Sequence, residues 1–453
     1  MSSLPYFILI PFAAALLAFA YARLKRSAAL LLSAIPLGLL LVGNDLPVTL
    51  PWISTYSIQF ALKMDGVSRL FLYLVSLLIP IVVYTSEEKS AYGWIFLVQG
   101  LLGGFFLASD LVLFTVFWEA MLLPLFFLIL LYGGQKREEA AGQFLVYMLA
   151  GSCLLIASMV ALYLTAQPST FSMAQLASQT GTFSPWVLAA FLLAFAVKTP
   201  LFPFHAWLPN AYVEASTGGT ILLSALLSKA GIYGIYRIGY GFFPEVMLQY
   251  SIPLLCLAII GVLYGGFLAL KQTDFKRLIA YSSFSHVNFI LAGMFAIPAS
   301  AHQGALIQSF NHGVTICALF LVCDALQKRL SSYSLDKAGG LAAVVPKLAW
   351  SALFFTLASV SLPGTSNFIG EVLILFGVFI QNYWLAAFLG LSMILSAAYM
   401  LRFYHRLFFG PAKTSTYADI SYKEAVPYFV LIVLILLVGL YPSSLLKLLG
   451  GVA

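Results

Sequence analysis

The stretch AFLLAFAVKTPLFPFHAWLP, residues 190–209, decides how the chain is read. It begins as an apolar run suited to a bilayer, carries one ammonium at Lys198, and then meets Pro200 and Pro203. A lysine in hydrocarbon costs roughly 2.5 kcal/mol or more at a helix centre, so it persists where it faces a partner or a wet cavity. Proline withdraws a backbone donor and opens the helical ladder beside it, leaving carbonyls that water or a side chain can reach. A charge beside a broken helix points to an ion or proton path through a membrane.

The remainder of the 453 residues extends this reading: 62% are hydrophobic and 9% charged, a balance that excludes a soluble domain. Apolar runs of about 20 residues recur along nearly the whole length with short connections. The pattern predicts an all-α polytopic membrane protein, one integral membrane domain over residues 1–453. About 14 transmembrane helices are expected, near 4–23, 28–43, 66–84, 92–108, 111–132, 140–165, 184–205, 215–237, 252–270, 277–297, 303–326, 344–380 (broken), 385–407 and 424–446.

No basic residue precedes the first span, and Arg23, Lys25 and Arg26 follow it. That is the reverse of a signal peptide and predicts a retained span with the N-terminus outside. Counted from there, the cytoplasmic connections hold 17 of the 23 basic residues, including Lys136, Arg137, Lys328, Arg329 and Lys413, and the C-terminus at Ala453 also lies outside. This topological bias accounts for most of the net charge of +7 and calls for a lipid bilayer, with no nucleic-acid partner. Cys153, Cys256, Cys317 and Cys323 sit in predicted spans without a CxxC pair, which gives no zinc or iron-sulfur signature. There is no P-loop and no GxGxxG after a strand, so the driving force is expected from an ion gradient or a partner.

Six ionisable groups inside the spans carry the candidate chemistry. Glu119 lies in LVLFTVFWEAMLLPLFFLIL, with Pro124 just over a turn beyond it. An intramembrane acid marks a functional site, while the bland alternative is a neutral carboxyl hydrogen-bonded to a neighbour. Lys229, in ILLSALLSKAGIYGIYRIGY, has about ten apolar or small residues before it, too many for easy snorkelling to the headgroups. The small residues Ser224, Ala225, Ser228, Ala230 and Gly231 allow close helix packing and room for water. His286 and His312 are either relay groups with near-neutral titration or packing hydrogen-bonders. His302 and His405 read as interfacial, and His205 adjoins the break after Lys198. In SLPGTSNFIGEVLILFGVF the helix breaks at Pro363 and Gly364 and resumes with Glu371 in its first turns, where a helix start favours negative charge or a structural cap. Lys198 and Glu371 thus lie at broken helices five spans apart, the spacing of an inverted repeat with halves near 92–237 and 252–407.

The blocks FWEAMLLPLFFLI, VKTPLFPFHAWLP, LLSKAGIYG, RLIAYSSFSH and LPGTSNFIGE resemble, in order and spacing, those of the antiporter-like subunits of proton-pumping NADH:quinone oxidoreductase, respiratory complex I. The likeness runs from about residue 65 to 410. It implies that Glu119 pairs with Lys198, that Lys229 and His286 bridge the membrane centre, that His312 lines the same axis, and that Glu371 is the terminal proton site. A glutamate at the second break resembles the M-type subunit, and the sequence ends soon after its last expected span, where the L-type carries a long lateral helix. The resemblance implies an inner-membrane location beside L-type and N-type antiporter-like subunits and small membrane subunits. It places NADH, FMN, iron-sulfur clusters and quinone in partner subunits, and no cofactor in this chain. Many members carry an Asp and a His, then a Pro, where this chain has Asn210, Tyr212 and Ser216. Multisubunit sodium/proton antiporters and membrane-bound hydrogenases share most blocks, so an antiporter subunit is the alternative function. A third reading, a structural spacer, predicts that the buried charges can be neutralised without loss of pumping.

Overall fold

The computed structural model describes residues 2–21, 24–411 and 417–450. Arg23, Lys413 and Ala453, which entered the charge-bias reading, lie outside them. The chain is mostly helical, and among the described residues ten helices are long and apolar enough to cross a membrane. Tyr6–Ala20, Arg26–Val42, Pro185–Lys198 and Ser366–Gln381 are shorter apolar helices, the last two being the segments that stop or start at the predicted breaks. The described residues form two compact units, Met1–Thr199 with Glu214–Tyr250, and Pro200–Val213 with Ser251–Ala453.

In the first unit, capping carboxylates fix where helices begin. Asp65 accepts from the Ser68 amide at the start of Gly66–Thr85, and Asp110 accepts from the Val112 and Leu113 amides at the start of Leu111–Ala120. Asp110 also takes the Gln59 amide at 3.1 Å, which ties that helix start to an antiparallel hairpin of Val48–Ile53 and Ile58–Leu62. The hairpin has no counterpart in the sequence reading, since apolar runs were matched there only to helical lengths.

The span expected over 111–132 is present as Leu111–Tyr132, with its helix interrupted at Met121 between Leu111–Ala120 and Leu122–Tyr132. Pro124 supplies the reason, because its ring displaces the hydrogen bond to the carbonyl four residues back, that of Ala120. The helix Pro185–Lys198 starts on a proline and ends at the lysine, with Pro200 and Pro203 beyond it. The next span, Thr217–Tyr240, contains wide π-helical turns over Leu222–Leu227 and Ile235–Tyr240, on either side of Lys229.

In the second unit, Phe275–Phe295 and Ala299–Leu330 are almost wholly buried and carry His286 and His312. The broken span consists of Pro346–Ser359 and Ser366–Gln381, joined through Ser361 at φ 59° and Gly364 at φ 92°. Gly364 is suited to that left-handed backbone because it has no Cβ. Gly304, Gly370 and Gly377 let Ala299–Leu330 and Ser366–Gln381 touch backbone to side chain: a Cβ on Gly304 would lie 2.8 Å from the Ile374 nitrogen, and one on Gly377 2.9 Å from the Ala301 nitrogen. Tyr383–Phe408 and Tyr422–Leu440 complete the unit, the latter begun by a capping box of Ser421 and Glu424.

Candidate functional site

Glu119, Lys198 and Lys229 lie in the first unit. Lys198 is 1% exposed at the last position of its helix, and its Nζ donates to the Trp118 carbonyl at 2.9 Å. The same nitrogen stands 3.5 Å from the centroid of the Trp118 ring. Glu119, the next residue, supplies the acidic charge that acts on this ammonium, yet its Oε1 is buried with no hydrogen-bond partner among the described residues. The expected Glu119 to Lys198 pair therefore appears as neighbouring charges without a direct hydrogen bond.

Lys229 is fully buried and donates to the Ser224 carbonyl at 2.8 Å and the Ser228 hydroxyl at 3.1 Å. Its helix reaches the Lys198 helix closely because Gly231 faces it. A Cβ there would collide with the Thr199 hydroxyl and lie 2.9 Å from the Phe195 carbonyl. Gly234 similarly accommodates the Phe195 ring. The small residues around Lys229 thus have a definite role: they let two lysine-bearing helices approach.

Glu371, His286 and His312 lie in the second unit, together with His205. Glu371 is buried in the second turn of its helix, and its Oε1 is 3.3 Å from His286 Nδ1 and 3.3 Å from Gln308 Nε2. His286 Nε2 lies 3.3 Å from the Ser396 hydroxyl, and its ring centroid is 5.9 Å from that of His312. A small cleft opens beside this group and is lined by Ser285, His286, Glu371, Ser392 and Ser396 among others. His286 and Glu371 are in direct reach of one another, and His312 stands one ring away. His205 is half-buried, stacked on Phe284 with centroids 4.4 Å apart. His302 is buried, with Nε2 at 2.6 Å from the Ala296 carbonyl near its helix start.

The positions that depart from the family pattern have local partners. Asn210 accepts from Arg277 at 3.3 Å, Tyr212 is buried edge-on against Phe320, and Ser216 caps its helix by accepting from the Gly219 amide. Sequence reasoning missed Trp118, Gln308 and Ser396 as neighbours of the buried charges. It also missed a network at the end of the Lys229 span, where Tyr233 donates to the Phe106 carbonyl at 2.8 Å and Arg237 binds Tyr233, Ser68 and Asp65. The spacing Lys229, Tyr233, Arg237, four residues apart each time, was the available signal.

This arrangement of buried bases and acids at helix interruptions occurs on a chain whose residues 108–396 match the family described as NADH:quinone oxidoreductase/Mrp antiporter, TM. NADH-quinone oxidoreductase subunit M of Rhodobacter capsulatus is 37% identical over 414 residues, covering 87% of this chain and 81% of that protein. The chain belongs to this family. Among proton-translocating NADH:quinone oxidoreductases it falls with the M-type membrane subunits. A chain in respiratory complex I from Thermus thermophilus with bound NADH superposes at a TM-score of 0.91 with 32% identity, covering 99% of this chain and 100% of that one. A chain of the Mrp complex from Dietzia sp. DQ12-45-1b reaches 0.89 at 22% identity, covering 99% and 96%, and so shares the fold.

Proposed function

We propose that this chain moves protons as an M-type membrane-arm subunit of NADH:quinone oxidoreductase, through Glu119, Lys198, Lys229, His286, His312 and Glu371. The observation that carries the reading is that each compact unit holds ionisable groups at an interrupted helix: buried Lys198 beside half-buried Glu119 in one, buried Glu371 with His286 in the other. In a low-dielectric interior a carboxylate near an ammonium holds its proton in place, and separating the two sends that proton onward. The order is Lys198, Lys229, His286, Glu371, with His312 beside the last step and water completing the gaps. Glu371, held by His286 and Gln308, is the release group.

The same proposal includes 14 transmembrane helices in two inverted repeats near 92–237 and 252–407, both termini outside, and a place in the inner membrane. L-type and N-type antiporter-like subunits and small membrane subunits are the neighbours, and NADH, FMN, iron-sulfur clusters and quinone act in partner subunits. Labelling of a single cysteine at Gln135 by a membrane-impermeant reagent from outside would reverse the orientation. The function is tested at Glu371 in assembled complexes. Glu371→Asp keeps an exchangeable proton and retains substantial NADH-driven pumping, whereas Glu371→Gln keeps size and hydrogen bonding but loses most of it. Equal activities would make Glu371 a structural cap and refute the release role.

A further inference from the structure

We infer that Trp118 is a positioning residue for Lys198: its indole face and its own carbonyl form a resting dock that competes with Glu119 for the ammonium. This rests on the proton-translocating role proposed above. Trp118 sits in the last turn of Leu111–Ala120. Carbonyls there have no partner within their own helix, and they form the negative end of the helix dipole. Lys198 Nζ supplies the missing donor at 2.9 Å. It also lies 3.5 Å from the indole centroid, against the negative face of the ring. That attraction strengthens when water is excluded, and both side chains are 1% exposed.

The ring is held in place by other aromatics. Phe105, Phe114 and Phe195 stand with centroids 5.8, 6.2 and 5.5 Å from it. Meanwhile Glu119 Oε1, one residue along, is a buried acceptor with no hydrogen bond among the described residues. The ammonium thus has two adjacent seats, one occupied and one open. Because Trp118 and Glu119 are consecutive, both seats are carried by the same helix, Leu111–Ala120. Trp118 keeps the pair apart between steps, and loss of its ring leaves the lysine on Glu119.

The test uses the full complex in membranes, with assembly checked on native gels, and reads NADH-driven quinone reduction and proton pumping. Trp118→Leu removes the ring face and Trp118→Phe retains one. Trp118→Met replaces the leucine variant if that one does not assemble. The leucine variant should lose pumping about tenfold and the phenylalanine variant stay within about threefold. In a Lys198→Ala background, Trp118→Leu should add nothing to the loss of residual quinone reduction, because both changes remove one interaction. Parental pumping in Trp118→Leu, equal losses in the two variants, or a further full loss in the Lys198→Ala background would each overturn the dock. Full pumping in Lys198→Ala alone would instead overturn the translocation role of Lys198, and the dock with it.

Discussion

In the first unit a buried lysine and a half-buried glutamate are neighbours whose charges are not joined by a hydrogen bond, while in the second the histidine and glutamate touch. Lys198 gives its proton donor to a backbone carbonyl and an aromatic face, and Glu119 Oε1 has no partner among the described residues. His286 Nδ1 and Glu371 Oε1 stand 3.3 Å apart with Gln308 on the same oxygen. The contrast assigns different work to the two sites. A touching acid and base can exchange a proton without rearrangement, whereas a separated pair has to change its geometry first. On the proposed proton path, a conformational signal would act on the Lys198 site, and the Glu371 site would pass on what it receives.

The largest effect is expected from Lys198→Ala, which leaves Glu119 without its cation and removes the group the signal moves. Quinone reduction and proton pumping should both fall at least about tenfold in assembled complexes. Next is Glu119→Gln, which leaves the Trp118 contacts of Lys198 in place and removes only the empty seat. A loss of pumping several-fold is expected with assembly intact; turnover at the parental level would end the separated-pair account. Gly231→Val should follow, through packing. Its side chain has no space against Thr199 and Phe195, and overpacking costs about 1–3 kcal/mol. The expected outcome is a lower melting temperature of the subunit in detergent, with a smaller change in activity than either charge variant.

The smallest effect concerns Asp65, outside the spans. Burial pushes its carboxyl up, but the Arg237 guanidinium and the hydrogen bonds from Ser68 outweigh this and hold it below the usual carboxylate range. A carboxyl with a depressed folded value adds stability that is fully present above the ordinary carboxylate range and is lost as pH falls through the depressed value. Thermal stability should therefore fall on acidification toward and below pH about 4, and Asp65→Asn should flatten that dependence. An unchanged acid slope in the variant would show that Arg237 and Asp65 contribute nothing there. Partial exposure keeps the effect small.

Much of this was legible in residue order. The broken helices at Lys198 and before Glu371 follow from Pro200, Pro203, Pro363 and Gly364, since a missing amide or a left-handed backbone acts locally. The break after Glu119 was equally local, through Pro124, and escaped notice because an unbroken apolar run of suitable length already satisfied the pattern. The hairpin at Val48–Leu62 escaped for the same kind of reason: short apolar strands and ends of membrane helices look alike without their pairing partner.

Composition and spacing alone established a helical membrane chain with six ionisable groups in its spans, because a charge among apolar residues is costly unless it is partnered or hydrated. They could not say which atom each charge would meet. Whether Lys198 turns to Glu119 or to the adjacent Trp118 depends on a rotamer set by three packed phenylalanine rings, from Phe105, Phe114 and Phe195, and one free carbonyl. Whether Glu371 meets Gln308 depends on glycines at 304, 370 and 377 that let Ala299–Leu330 and Ser366–Gln381 touch. Those choices belong to the tertiary structure, since each is made by residues 60 or more positions apart, such as Lys198 and Trp118 at 80 and Gln308 and Glu371 at 63.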